Sequence, residues 1–196
     1  MRLGILGGTF DPIHFAHLFV AEDACAAFRL DRVLFVPNRR PPHKLGAALA
    51  PAEERLAMVR LAVGGNPRFE CCDVEMRREG PSYTVETLAQ LQREYPGAEL
   101  HFLIGLDAVL ELASWRQPDE VLRLARLIAV ARPGYSAADL ERRLPKTFLD
   151  RIAVLPTLGL DISSTTIRER VQRGLPIRYL TPDPVVAHIE ASGLYR

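Results

Sequence analysis

Short, nearly unbroken apolar runs alternate with longer amphipathic stretches along the chain, and this alternation restricts the fold more than any other feature. Val33-Leu34-Phe35-Val36 and Leu127-Ile128-Ala129-Val130 have no polar residue at alternate positions, so neither suits a strand with one wet face. Strands apolar on both sides belong in a parallel sheet covered by helices. Strands are expected at 3–7, 32–37, 69–74, 100–105, 127–131 and 152–155. Helices are expected at 15–28, 52–63, 84–94, 118–125, 137–144, 165–173 and 184–191. Local signals mark their ends. Pro51 precedes a first turn with Glu53 and Glu54, and Ser136 with Asp139 forms a variant capping box. Pro96-Gly97, Gly174 and Gly193 are stops. The expected architecture is an α/β fold with a doubly wound, Rossmann-like parallel sheet, a single domain over 1–196. Its ligand site should lie at the carboxyl ends of the strands, where strand order reverses.

Charge narrows the classes of partner. With 25 basic and 24 acidic residues the net charge is +1, so no strong field draws nucleic acid or an anionic membrane. Any anionic ligand must be gripped by a local cluster of donors. No stretch approaches the roughly 18–20 apolar residues that span a bilayer, and the opening Met1-Arg2-Leu3-Gly4-Ile5-Leu6 does not read as a signal peptide. Cys25, Cys71 and Cys72 lack CxxC spacing. Cys71 and Cys72 should point to opposite faces of one strand as reduced thiols. The expected compartment is the cytoplasm. Oligomeric state, a homo-oligomer included, is left open.

Three segments that follow expected strands carry chemistry. The first is Gly7-Gly8-Thr9-Phe10-Asp11-Pro12-Ile13-His14-Phe15-Ala16-His17. Its glycines let backbone approach a ligand, and the orphan N–H groups of the helix beyond favour an anion. His14 and His17 are three apart, share a face and can both donate to phosphoryl oxygens. Zinc is disfavoured, since three or four ligands are needed and no Cys or Glu-x-x-His partner is near. The second segment, Pro37-Asn38-Arg39-Arg40-Pro41-Pro42-His43-Lys44, is a proline-stiffened basic loop, equally readable as a solvated one. The third, Asp161-Ile162-Ser163-Ser164-Thr165-Thr166-Ile167-Arg168, opens a helix. Its hydroxyls are either helix caps or, with the guanidinium one turn on, a polyphosphate grip.

Gly7–His17 resembles the (H/T)-x-G-H signature of the nucleotidylyltransferase superfamily, with Ala16 where the family has glycine. The run at 162–168 resembles its ISSTxIR motif at every position. Pro81-Ser82-Tyr83-Thr84-Val85-Glu86-Thr87-Leu88, the PPHK segment ending at Lys44, Gly105-Leu106-Asp107 and Ala113-Ser114-Trp115-Arg116 are similar to elements of the nicotinate-nucleotide adenylyltransferases. Leu106 departs from a smaller residue and Arg116 from a tyrosine.

The resemblance implies transfer of AMP from ATP to nicotinate mononucleotide, with Mg²⁺ held mainly by the nucleotide and no protein metal site. It implies an ATP site of Gly7, Gly8, Thr9, Phe10, His14, His17, Gly105, Asp107, Ile162, Ser163, Ser164, Thr165 and Arg168. The acceptor site would take Gly8, Thr9, Phe10, Lys44, Ser82, Tyr83, Thr84, Trp115 and Arg116. Catalytic roles would fall to His14, His17, Lys44 and Arg168, with Asp107 on ribose hydroxyls, Thr84 on the pyridine substituent and Trp115 stacked on the ring. Two alternatives stay open: the same reaction on nicotinamide mononucleotide, and a non-catalytic nucleotide sensor of the same fold.

Overall fold

In the computed structural model, which describes residues 1–41, 49–131 and 137–196, six strands form one all-parallel sheet. They are β1 (Arg2–Gly8), β2 (Arg32–Pro37), β3 (Phe69–Cys71), β4 (Glu99–Gly105), β5 (Ala125–Val130) and β6 (Ile152–Leu155). Their order is β3-β2-β1-β4-β5-β6. From β1 the chain steps outward to β2 and β3. It then returns to lay β4 on the other side of β1 and moves outward again. The reversal lies between β1 and β4, where diverging connections leave a crevice at the carboxyl ends.

Alternate side chains along each strand enter different cores, which is why the runs are apolar throughout. Ile5, Leu34, Phe102 and Leu127 pack on one face with α3 (Thr84–Glu94), α4 (Leu106–Val109) and α5 (Pro118–Leu124). Leu6, Phe35, Leu103 and Ile128 pack on the other with α1 (Phe15–Phe28), α2 (Ala52–Val63), α8 (Ser164–Gln172) and α9 (Asp183–Ser192). Helices α6 (Ala137–Arg143) and α7 (Lys146–Leu149) complete the set among the described residues. Gly193 caps α9 with a left-handed φ of 66°, as its position as a stop predicts.

Two expectations change. The strand expected at 69–74 ends at Cys71, because it is a sheet edge paired only with β2 and the chain turns at Asp73, whose carbonyl accepts from Met76 and Arg77. The one-turn helices α4 and α7 and the turn at 112–114 are too short to show a helical period in sequence. The Ser136–Asp139 cap lies outside the described residues. Cys71 packs toward the face of α1 and α2 and Cys72 toward that of α3, as the alternation requires. Burial pushes the Cys71 thiol up to about 12 and the Cys72 thiol up to about 11, which keeps both protonated at neutral pH. Among the described residues no helix is long and apolar enough to cross a membrane.

Candidate active site

Two clefts open at the point where strand order reverses, one on each side of the β1–β4 carboxyl ends. The first, about 680 Å³, is lined by Leu6, Thr9, Asp11, His14, Ala16, His17, Gly105, Ile162 and the helix start Ser163-Ser164-Thr165 with Arg168. The second, about 460 Å³, is lined by Gly7, Asn38, Glu75, Ser82, Tyr83, Thr84, Thr87, Phe102, Trp115 and Arg116. Ile104 belongs to both, so the clefts adjoin.

The first cleft suits anions. Two helices, α1 and α8, start at its wall, and neither carries an acidic residue in its first turn. Their uncompensated N–H groups and dipoles therefore favour negative charge there. His14 is the N-cap of α1. Its ring stacks on His17 with centroids 3.7 Å apart and planes at 28°. His17 Nδ1 accepts the His14 backbone N–H at 3.2 Å. A ring nitrogen that accepts cannot carry the proton, so neutral His17 bears it on Nε2.

At α8, Ser163 Oγ caps the Thr166 N–H at 3.0 Å, Ser164 Oγ donates to the Pro12 carbonyl at 2.8 Å, and Arg168 Nη1 donates to the Asp11 carbonyl at 2.7 Å. Arg168 Nη2 donates to Thr165 Oγ1 at 3.2 Å. The hydroxyls thus cap the helix and tie it to the 11–12 loop, while Arg168 remains on the cleft wall.

The second cleft is more apolar. Trp115 meets Phe102 edge-on at 6.4 Å between centroids, leaving the indole on the cleft wall. Thr84 is the first residue of α3, so that helix start faces this cleft. Arg116 does not project freely. Its Nη1 donates to Glu86 Oε1 at 2.9 Å and its guanidinium lies 4.6 Å over the Tyr83 ring, on an exposed rim.

Four expected residues sit elsewhere than on a cleft wall, or beyond description. Phe10 is 2% exposed at a left-handed φ of 49°, and its ring packs in the core beneath His17 and against Gly8. A Cβ on Gly8 would come within 3.0 Å of that ring, so Gly8 is glycine to admit Phe10 and lines neither cleft itself. Asp107, in the exposed first turn of α4, lines neither cleft. Lys44 lies outside the described residues. The bulk of Leu106 is no obstacle, because its side chain is fully buried in the core.

A model of the cytidylyltransferase-like family matches residues 5–170. A protein of Roseiflexus sp. strain RS-1, named "Probable nicotinate-nucleotide adenylyltransferase", is 50% identical over 196 residues, covering 99% of this chain and 98% of that one. One of the same name from Desulfitobacterium hafniense is 45% identical over 199 residues, covering 100% and 96%. The chain belongs to the nicotinate-nucleotide adenylyltransferase family.

The family's fold is shared with the Plasmodium falciparum nicotinic acid mononucleotide adenylyltransferase, which has been solved with NaAD (TM-score 0.78, 19% identity, 99% of this chain and 97% of that one). The same parasite protein has been solved with APC (TM-score 0.76, 18% identity, 99% and 96%).

Three buried residues of this adenylyltransferase-family chain escape sequence reading. Arg55, 2% exposed, donates to the carbonyls of Ala50, Thr9, Asn38 and Arg39 at 2.6–3.2 Å. Burial pulls its pKa below the ordinary arginine range, and Asp11 nearby opposes that. Glu75, 4% exposed in the second cleft, accepts from Asn38 Nδ2 at 2.9 Å and Thr87 Oγ1 at 2.6 Å. Asp11, 2% exposed, sits between the first loop and α8. In sequence Arg55 follows Glu53-Glu54 and Glu75 lies in a charged run, both of which read as solvated faces. Only Asp11, the lone acid of a glycine-rich loop, carried a signal.

Proposed function

We propose that this chain transfers the adenylyl group of ATP to the phosphate of nicotinate mononucleotide, releasing pyrophosphate and forming nicotinate adenine dinucleotide. One observation carries the reading: an anion-favouring cleft and an aromatic-lined cleft adjoin at the strand-order switch. That is the layout a dinucleotide product requires, and relatives covering the full chain carry the corresponding name.

The acceptor phosphate is already an oxyanion, so no protein nucleophile is needed. A phosphate oxygen attacks the α-phosphorus in line, one O–P bond forms, and the bond to the β-phosphate bridging oxygen breaks with its electron pair leaving on pyrophosphate. Catalysis is then positioning and charge stabilisation. His17 Nε2–H and His14 serve the α-phosphate, Ser163 to Thr165 and Arg168 serve the β- and γ-phosphates, and Lys44 serves the transferring group. The cleft's donors are imidazole, hydroxyl and guanidinium groups, and among the described residues its carboxylates are Asp11 and Asp161. That donor set complements polyphosphate. The divalent cation, Mg²⁺ in this reading, would come in on the triphosphate, where it neutralises charge on the departing oxygens.

Trp115 supplies a flat face for the pyridine ring. The start of α3 at Thr84 turns helix N–H groups toward the carboxylate of nicotinate, and the Glu86 of its first turn is compensated by Arg78 and Arg116. Arg116 contributes little to the choice of nicotinate over the amide, because Glu86 already compensates its charge. We further propose that residues 1–196 act as one domain in the cytoplasm.

The test is pyrophosphate release from ATP and Mg²⁺ with either mononucleotide. Preference for nicotinate mononucleotide is expected. Preference for the amide would overturn the account of Thr84, and release with neither would refute the proposed reaction.

A further inference from the structure

Beyond α9 the chain turns back toward the nucleotide cleft. Gly193 and Tyr195 both take left-handed conformations, with φ of 66° and 64°. For a tyrosine that conformation is disfavoured, so contacts must hold it there. The contact is specific. Tyr195 Oη donates to Asp11 Oδ1 at 2.7 Å, bridging 184 positions of sequence into the wall of the ATP cleft.

Asp11 is the hub of that wall. Its Oδ1 also accepts the Ala50 N–H at 3.3 Å, and its carbonyl accepts Arg168 Nη1 at 2.7 Å. Its Oδ2 lies 3.9 Å from the same Nη1 and has no hydrogen-bond partner among the described residues. The next carbonyl, Pro12, accepts Ser164 Oγ at 2.8 Å. The placement of residues 11–12 therefore sets both Arg168 and the start of α8. The Tyr195 hydroxyl anchors the carboxylate of Asp11, the residue whose carbonyl, with that of Pro12, they engage. Burial and the Asp11 carboxylate push the pKa of that hydroxyl well above the usual tyrosine range, so it stays a donor throughout the physiological range.

We propose that Tyr195 is a positioning residue of the transfer reaction, its hydroxyl fixing Asp11 and, through it, the Arg168 and Ser164 that face the triphosphate. The proposal rests on reading this cleft as the ATP site. It assigns the aromatic residue beyond α9 to ATP use and not to acceptor choice, since none of the residues that contact the Asp11 side chain directly, Tyr195, Ala50 and Arg168, lines the second cleft.

The experiment compares Tyr195→Phe, Asp11→Asn and the double variant with the wild-type chain. It measures steady-state kinetics for each substrate, ATP affinity by calorimetry without acceptor, and the thermal midpoint. Tyr195→Phe removes one oxygen and keeps the ring, so the fold is retained. A loss of about 10-fold in kcat/KM for ATP is expected, with KM for the mononucleotide within about 2-fold, as a misplaced contact group produces. The double variant should be no worse than Asp11→Asn alone, because the two residues act as one unit. A lower midpoint with unchanged kinetics and ATP affinity would overturn the proposal, leaving Tyr195 a structural tie. If the wild-type chain turns over neither acceptor, the functional reading fails, and ATP affinity still decides: about 10-fold weaker binding in Tyr195→Phe upholds the role. Equal affinity overturns it, as does absence of ATP binding in the wild type.

Discussion

Arg55 offers the sharpest test of what holds the two clefts in register. Its guanidinium joins three chain segments by four hydrogen bonds to carbonyls: Thr9 in the first loop, Asn38 and Arg39 after β2, and Ala50 before α2. Arg55→Met keeps the buried aliphatic stem and removes every donor. Each carbonyl left buried and unpaired costs about 1–3 kcal/mol, so even at the lower end four of them amount to about 4 kcal/mol. For a chain of this size that lowers the thermal midpoint by about 8–16 °C. Arg55→Lys retains charge but cannot span the same carbonyls with one ammonium, and should lose about half as much. Urea and thermal unfolding of the three proteins measure this directly. A loss below about 1 kcal/mol for Arg55→Met would refute the reasoning, because it would mean the carbonyls find water or other donors without Arg55.

Other perturbations separate the clefts. His17→Ala should lower kcat on the order of 10²–10³-fold while leaving the fold intact, as loss of one donor to a transition-state oxyanion does; full activity would remove His17 from the mechanism. Trp115→Ala should raise KM for nicotinate mononucleotide by about 10-fold through lost stacking and leave KM for ATP unchanged, checked by steady-state kinetics at saturating co-substrate. His101 in β4 tests the fold instead. Its pKa is lowered by burial, so below about pH 6.5 the unfolded chain takes up a proton that the folded one resists. This contribution to stability is complete above that pH and is lost as pH falls toward the folded pKa. Urea midpoints between pH 7.5 and 5.5 should therefore fall less steeply for His101→Gln than for wild type.

Much of this architecture was legible because its determinants are local. The doubly apolar runs mark strands covered on both faces, and β2, α1, α2 and α3 begin and end where the pattern, the prolines and the stops place them. The glycine loop, the hydroxyl-rich helix start and Trp115 sit beside cleft walls for the same reason, each following a strand's carboxyl end within ten residues. What was not legible depends on contacts remote in sequence. Arg55 turns inward only because residues 9, 38, 39 and 50 converge on it, and Glu75 is buried only because Asn38 and Thr87 satisfy it. Phe10 misleads in the opposite direction. Its place in the motif suggests the ligand, but its left-handed backbone sends the ring under Gly8 into the core. Arg116 likewise reads as a free cation until Glu86, thirty positions earlier, is brought beside it.

The proposed reaction is direct transfer between two adjoining clefts with no covalent adenylyl intermediate on the protein. Its most direct test is the stereochemical course at the α-phosphorus, read from the product formed with nicotinate mononucleotide and ATP carrying sulfur of one configuration at that position. A single in-line displacement predicts inversion. Retention would require two displacements through a protein nucleophile and would contradict the account.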